Sequence, residues 1–144
     1  MTIAGYGSLE TALRKQVSDE GLSGVTFVGR VEPVDIAALY DQADIFLNSS
    51  VVDNQPVSIL EAFAAGLPVI STPTGDIAFM IRDKETGMLV PPDRPEALAG
   101  AVFWLLAHQP EAVHMAEAAK REVEKYTWRN VRTDWRQLFS GDPS

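Results

Sequence analysis

Two carboxylates flank the predicted N-terminus of one helix in the middle of the chain. Asp53 lies just before Pro56, and Glu61 follows Asp53 by eight residues. Pro56 suits the first helical position, where its missing N–H costs nothing, and Gly66 suits the position just past the helix end. The free N–H groups at a helix N-terminus favour anions, and carboxylates accept hydrogen bonds from hydroxyls. This stretch therefore predicts a site for a phosphorylated ligand that carries hydroxyl groups.

Each of these acids also has a purely structural interpretation. Glu61 lies in an otherwise apolar helix, where a charge is costly unless it is paired, so it can be one half of an ion pair. Asp53 can cap the helix, because Asp is common just before a helix start. The sequence leaves these alternatives open.

Short apolar strands alternate with helices along the whole chain. The predicted strands are 2–4, 25–29, 44–48, 68–71 and 88–90, and the predicted helices are 9–20, 35–43, 56–65, 77–81, 96–106, 110–125 and 129–139. Strands with continuous apolar runs are typical of a parallel sheet with helices on both faces. We therefore expect an α/β fold in one domain over residues 1–140, with a frayed tail at 141–144.

Some side chains of the predicted helices have expected roles in capping or in packing. Ser8 is a candidate N-cap for the first helix. The helix at 96–106 is expected to turn four side chains inward, namely Leu98, Val102, Leu105 and Leu106. The apolar stripe of the last helix is expected to be Val131, Trp135 and Leu138. Trp128 and Trp135 would mark an exposed apolar patch here if they pack on a further domain.

Ligands of parallel sheets bind at the carboxyl ends of the strands. The loops at those ends are 5–8, 29–31, 49–56 and 72–76, and we expect them to form one site. Gly5 and Gly7 either let the backbone approach a phosphate or make a tight strand-to-helix turn, since they do not complete a dinucleotide fingerprint.

Composition excludes several classes of protein. The net charge of −8, with no basic stripe, argues against nucleic-acid binding. The absence of cysteine excludes disulfides and thiolate metal sites and fits a cytoplasmic location. The carboxylates show no metal-ligand spacing, so no metal is expected. No apolar run reaches the roughly 18 residues that a membrane span requires.

Five sequence blocks, in their order and spacing, resemble a known family. They are IAGYGS at 3–8, VTFVGRV at 25–31, ADIFLNSS at 43–50, PVSILEAFAAGLPVI at 56–70 and TGMLVPP at 86–92. Together with the tryptophan-containing last helix, they resemble the C-terminal domain of retaining glycosyltransferases that have two Rossmann-like domains. This is the GT-B type, group 1, family 4, and the resemblance covers nearly the whole chain.

The resemblance implies that the chain binds a nucleotide-diphosphate sugar and takes part in glycosyl transfer with retention at the anomeric carbon. Two acids with seven residues between them hold the donor in that family. They correspond here to Asp53 and Glu61, the candidate catalytic residues. Asp53 would contact the sugar hydroxyls and Glu61 the ribose hydroxyls. No cofactor is implied besides the donor substrate.

The resemblance also implies further donor-binding residues. Backbone N–H groups of residues 54–58 would meet the sugar and the diphosphate, and the loop at 29–31 would lie beside the base. The full set of candidate donor-binding residues is Gly5, Gly7, Arg30, Asn54, Gln55, Pro56, Val57, Ser58 and Glu61.

The chain departs from the family pattern in three ways. Asp53 replaces the usual Glu, and the run Gly75-Asp76-Ile77-Ala78-Phe79 replaces a Gly-Gly pair followed by Glu. The acceptor-binding N-terminal domain and the first, central strand of the C-terminal domain are absent, with the Arg and Lys that neutralise the diphosphate. We therefore expect a fragment or one half of a split protein that is inactive or poorly active alone.

The sequence is compatible with several partners and with two alternative functions. The missing N-terminal domain or a second chain, such as another copy in a homodimer, is expected to complete the protein. Peripheral membrane association of the parent enzyme is a further expectation. The alternatives are an isomerase of the UDP-N-acetylglucosamine 2-epimerase kind, which lacks the pattern at 56–61, and a non-catalytic binding or assembly module.

Overall fold

The structure, a computed structural model, describes residues 1–140, so the predicted tail at 141–144 lies outside the described residues. It contains two compact units, Met1–Leu39 and a second that begins at Tyr40. Each unit has its own sheet, and every strand pair within these sheets is parallel. The predicted α/β class with parallel strands is therefore confirmed.

The first unit is built on two strands and one long helix. Strand β1 spans Thr2–Ala4, helix α1 Glu10–Asp19 and strand β2 Thr26–Gly29, and helix α2 at Ile36–Tyr40 ends in the second unit. Ile3 lies opposite Phe27 in the register of β1 and β2. The N-cap of α1 is Leu9, without a side-chain hydrogen bond, so the predicted Ser8 cap is wrong. A backbone turn replaces it, in which the Glu10 N–H donates to the Gly7 carbonyl at 3.1 Å.

The second unit has a three-stranded sheet in the order β3–β4–β5. Its strands are β3 at Phe46–Asn48, β4 at Val69–Ser71 and β5 at Met88–Leu89. Its helices are α3 at Val57–Ala65, α4 at Ile77–Met80, α5 at Pro95–Ala107, α6 at Gln109–Val123, a 3-10 helix at Glu124–Tyr126 and α7 at Trp128–Ser140. None of the helices within residues 1–140 combines the length and apolarity that a membrane crossing requires.

The central strand β4 is wholly buried, and Ile70 on it belongs to a cluster of buried apolar side chains. Val90, Ala101, Leu105 and Met115 complete the buried part of that cluster. Leu98 and Val102 pack against it as predicted. Leu106, however, is 53% exposed, so its predicted inward position is wrong. Consecutive helix residues point about 100° apart, and Leu105 already takes the inward direction.

Helix α7 carries an exposed apolar stripe. No residue of α7 is buried, and Trp128 and Trp135 are 72% and 52% exposed. The Trp135 ring stacks on the Phe139 ring at 5.3 Å between centroids. Both tryptophans are therefore exposed, and their packing on a further domain stays a prediction.

An ion-pair network links the turn after α4 to helix α6. Arg82 donates to Glu85 Oε2 at 2.9 Å and to Glu122 Oε2 at 2.8 Å, and Lys125 donates to Glu122 Oε1. The hydrogen bonds from Lys125 and Arg82 lower the pKa of Glu122 below its ordinary value. The carboxylate therefore contributes stability above the unfolded pKa, and this stability is lost as the pH falls through the lower, folded pKa.

Substituting Glu122→Gln should lower the free energy of unfolding at pH 7 by about 0.5–1 kcal/mol, since the network is partly solvated. The variant should also lose less stability than the wild type between pH 5 and pH 3, in roughly the interval where the lowered pKa acts. Urea unfolding at both pH values measures this. Glu117→Gln, on the exposed side of the same helix, is the control. A pH dependence identical to that of the wild type would contradict the assignment.

Candidate functional site

Helix α3 is bounded by the two residues that the sequence singled out. Pro56 is the N-cap in an extended conformation (φ −68°, ψ 117°), so the helix begins at Val57, one residue later than predicted. Gly66 ends the helix in the left-handed conformation with φ +77°. Its N–H donates to the Phe63 carbonyl at 3.0 Å. The predicted glycine stop is confirmed.

Glu61 lies half-buried on α3, between side chains that form part of the core. The Tyr40 hydroxyl lies 3.0 Å from Glu61 Oε2 and 3.2 Å from the Ser58 carbonyl oxygen. Burial, and then the hydrogen bond to Glu61, raise the pKa of the Tyr40 phenol, so this group is protonated at neutral pH and donates. No ion pair involves Glu61 within residues 1–140, and the ion-pair alternative is therefore wrong.

Asp53 is half-buried in the loop that precedes α3. Its Oδ1 accepts a hydrogen bond from the N–H of the next residue, Asn54, at 2.8 Å. Helix α3 has no side-chain cap hydrogen bond, so the alternative that Asp53 caps this helix is wrong. Its second carboxylate oxygen has no hydrogen-bond partner in the described part of the chain.

A polar network joins the carboxyl ends of β3 and β4. Asn48 Nδ2 donates to Ser71 Oγ at 3.1 Å, and Asn48 Oδ1 accepts from the Ser50 N–H and hydroxyl. The hydroxyls of Thr72 and Thr74 both donate to the Ser50 carbonyl. This network was not predicted from the sequence. The feature of the sequence that could have predicted it is the presence of short hydroxyl side chains directly after both β3 and β4, which are neighbouring strands.

The two loops of the second unit also meet through their backbones. The Asp76 N–H donates to the Asn54 carbonyl at 2.9 Å. Gly75 has φ +57°, and a Cβ at this position would lie 2.2 Å from the Asp53 carbonyl oxygen. Only glycine fits such a close approach in this conformation. The predicted convergence of loops is therefore confirmed for 49–56 and 72–76.

The remaining predicted binding residues, Gly5, Gly7 and Arg30, belong to the first unit. The Gly5 N–H donates to the Gly29 carbonyl at 2.8 Å, so the loops after β1 and β2 meet there. The Arg30 guanidinium lies 5.8 Å from the centre of the Tyr6 ring and forms an ion pair with Glu32 at 3.3 Å. Asn54–Ser58 and Glu61 lie in the second unit, so the predicted site residues are divided between the two units.

Residues 1–140 contain no cluster of side chains suited to a metal ion. No group of three or more His, Asp or Glu side chains is placed there to hold a metal ion.

Polar and acidic side chains lie at the carboxyl ends of parallel strands, the position at which Rossmann-like proteins bind their ligands. Residues 1–108 match the model of a family described as Glycosyl transferases group 1. That match covers most of the chain, and the chain belongs to this family. The resemblance identified from the sequence blocks is confirmed.

Curated relatives of this chain include bacterial sugar transferases. The amylovoran biosynthesis glycosyltransferase AmsK of Erwinia amylovora is 35% identical over 144 residues, which cover 95% of this chain and 35% of AmsK. The D-rhamnosyltransferase WbpZ of Pseudomonas aeruginosa is 32% identical over 143 residues, which cover 97% of this chain and 34% of WbpZ. The chain thus spans about a third of the length of these relatives.

Solved structures agree with the fold. Sucrose-phosphate synthase from Thermosynechococcus elongatus superposes with a TM-score of 0.83 at 27% identity, over 98% of this chain and 39% of that one. HepE from Anabaena, solved in complex with UDP-glucose, superposes with a TM-score of 0.87 at 19% identity, over 98% and 40%. The likeness to HepE is a likeness of fold. The predicted Rossmann-like fold of a GT-B C-terminal domain is confirmed.

Proposed function

We propose that this chain binds a nucleotide-diphosphate sugar as the donor domain of a retaining glycosyltransferase. The observation that carries the proposal is Glu61, a half-buried carboxylate on α3 whose one polar contact in the described residues is a neutral donor. Burial of a charge without a counter-charge costs stability. A half-buried carboxylate without a counter-charge is expected where a ligand donates hydrogen bonds to it, because it does not stabilise the fold.

The surroundings of Glu61 support a ligand of this kind. Asn54, Gln55 and Val57 are exposed at the start of α3, where free N–H groups favour phosphate oxygens. Glu61 would accept from the ribose hydroxyls and Asp53 from the sugar hydroxyls. In this proposal the protein positions the donor and stabilises the charge on the departing diphosphate.

The proposal includes a second, acceptor-binding domain. The relatives are about three times as long as this chain, and α7 exposes an apolar stripe that contains Trp128 and Trp135. We propose that this stripe packs on that domain, which would make the parent enzyme active and leave this part poorly active alone. Retention at the anomeric carbon and a cytoplasmic location belong to the same proposal.

A non-catalytic binding module is the second candidate. The loop at residues 75–79 favours it, because this loop lacks the second glycine and the Glu that the family usually has there, and its Phe79 is 85% exposed. The side chain of Asp53, which is shorter than the usual Glu, also favours the non-catalytic candidate.

Titration of the 144-residue chain with UDP, GDP and ADP tests the proposal. We expect saturable binding of at least one of them, measured as a heat change by calorimetry, and a much lower affinity of the same ligand for Glu61→Ala. Glu117→Ala on α6 is the matched control, because it also deletes a helical carboxylate, at an exposed position. If none of the three binds, and Glu61→Ala behaves as the wild type does, the non-catalytic candidate is favoured.

A further inference from the structure

Tyr40 contacts the candidate donor-binding acid from outside helix α3. It lies 21 residues before Glu61 in the sequence, and its hydroxyl lies 3.0 Å from Glu61 Oε2. The Ser58 carbonyl oxygen, one turn earlier on α3, is a second acceptor at 3.2 Å. The hydroxyl is therefore placed against two groups of the same helix, one of which is charged.

The Tyr40 ring is itself held in place. The residue is only 8% exposed, and its ring packs against Phe46 of β3 with centroids 5.9 Å apart and planes at 51°. A buried ring in contact with a strand of the sheet has little freedom to turn. The hydroxyl that it presents to α3 is thus a fixed donor, and its raised pKa keeps the proton on it.

A fixed donor restricts the glutamate that it contacts. A glutamate side chain has three rotatable bonds and samples several rotamers when nothing holds it. The hydrogen bond from Tyr40 fixes Oε2 and leaves Oε1 as an acceptor for a ligand hydroxyl. Hydrogen bonds to a charged acceptor are stronger than those between neutral groups, so this contact outweighs the one to the Ser58 carbonyl.

We propose that Tyr40 is a positioning residue that holds the Glu61 carboxylate in the orientation that receives the ribose hydroxyls of the donor nucleotide. The inference rests on the proposed function, and it adds the residue that sets the geometry of its ribose contact. Preorganisation of a binding group raises affinity because the cost of ordering it is met in the free protein.

The test is Tyr40→Phe, which keeps the ring against Phe46 and removes only the hydroxyl. The probes are UDP, GDP and ADP, together with the 2′,3′-dideoxy form of whichever binds the wild type most tightly. We expect Tyr40→Phe to weaken binding of the ribonucleotide roughly tenfold and binding of the dideoxy form by less than about twofold. The reason is that the substitution frees the Glu61 carboxylate, which contacts only the ribose hydroxyls that the dideoxy form lacks. Discrimination between the two ligands should therefore fall.

The ratio of the affinities for the ribonucleotide and its dideoxy form distinguishes a positioning role of Tyr40 from a purely structural one. A variant that merely loosened the fold would weaken both ligands equally, and Tyr126→Phe, which removes the hydroxyl of an exposed tyrosine, should change neither. In a Glu61→Ala background, adding Tyr40→Phe should alter ribonucleotide affinity by less than about twofold, because the group that it positions is gone.

The outcomes that overturn the inference differ from those that overturn the proposed function. Nucleotide binding to the wild type with unchanged discrimination in Tyr40→Phe would overturn the role of Tyr40 alone. Additive losses in the double variant would do the same. Absence of binding to the wild type by all three diphosphates would overturn the proposed function and this inference with it.

Discussion

Glu61→Ala is expected to weaken nucleoside diphosphate binding by about a hundredfold. Under the proposed function, Glu61 accepts hydrogen bonds from ribose hydroxyls, and a hydrogen bond to a charged group contributes about 1.5–3 kcal/mol. Loss of one to two such bonds corresponds to about two orders of magnitude in the dissociation constant. Calorimetric titration of the wild type and the variant with UDP, GDP and ADP measures the change.

The fold should survive this substitution. Alanine favours a helix interior, and the change removes a carboxylate from between buried side chains of α3. The Tyr40 hydroxyl keeps the Ser58 carbonyl as an acceptor. We therefore expect the free energy of unfolding to change by about 1 kcal/mol or less. Glu61→Gln, which retains an acceptor for Tyr40, should bind with intermediate affinity. Wild-type affinity in Glu61→Ala would rule out a ligand-binding role for this residue.

Gly75→Ala is expected to lower the free energy of unfolding by about 3 kcal/mol or more and to abolish ligand binding with it. The added Cβ would lie 2.2 Å from the Asp53 carbonyl oxygen and 2.9 Å from that of Asn54. Both contacts are with backbone, which cannot rotate away as a side chain can. The positive φ of +57° adds a further cost of about 1–2 kcal/mol for a residue with a side chain.

Gly100→Ala is the matched control for this prediction. Gly100 lies within α5, and a Cβ there would meet no atom within 4 Å. Replacement of a glycine inside a helix by alanine should stabilise the protein by about 0.5–1 kcal/mol. Urea unfolding of the two variants should therefore move the transition in opposite directions. A Gly75→Ala variant as stable as the wild type would show that the loops at 49–56 and 72–76 do not approach as described.

Elements with local signals were predicted well. The left-handed stop at Gly66 needs no knowledge of the rest of the chain, because only the residue itself decides whether φ can be positive. The alternation of apolar runs and helical periods likewise indicated parallel strands, since burial on both faces requires such runs. The prediction of burial was wrong where two adjacent helix residues were both expected to face the core. Leu105 is buried, and Leu106, which points in another direction, is exposed.

Contacts between distant residues required the tertiary structure. Nothing in the sequence of the short helix that ends at Tyr40 indicates that the Tyr40 side chain reaches α3. The distance between the Tyr40 hydroxyl and Glu61 depends on how the backbone between the two helices folds. The bond from Asn48 to Ser71 depends in the same way on the pairing of β3 with β4. Both alternatives for the acids were decided at this level, since partners for Asp53 and Glu61 are a matter of geometry and not of composition.

Residue type, spacing and local conformation are properties of the chain, and they were enough to predict the parallel α/β class, the family and the two acids around the start of α3. The groups that face those acids depend on tertiary contacts. Tyr40, and not a cation, contacts Glu61, and Gly75 lies against the backbone of Asp53. Hydrogen bonds act over about 3 Å, and only folding brings residues more than twenty positions apart within that distance.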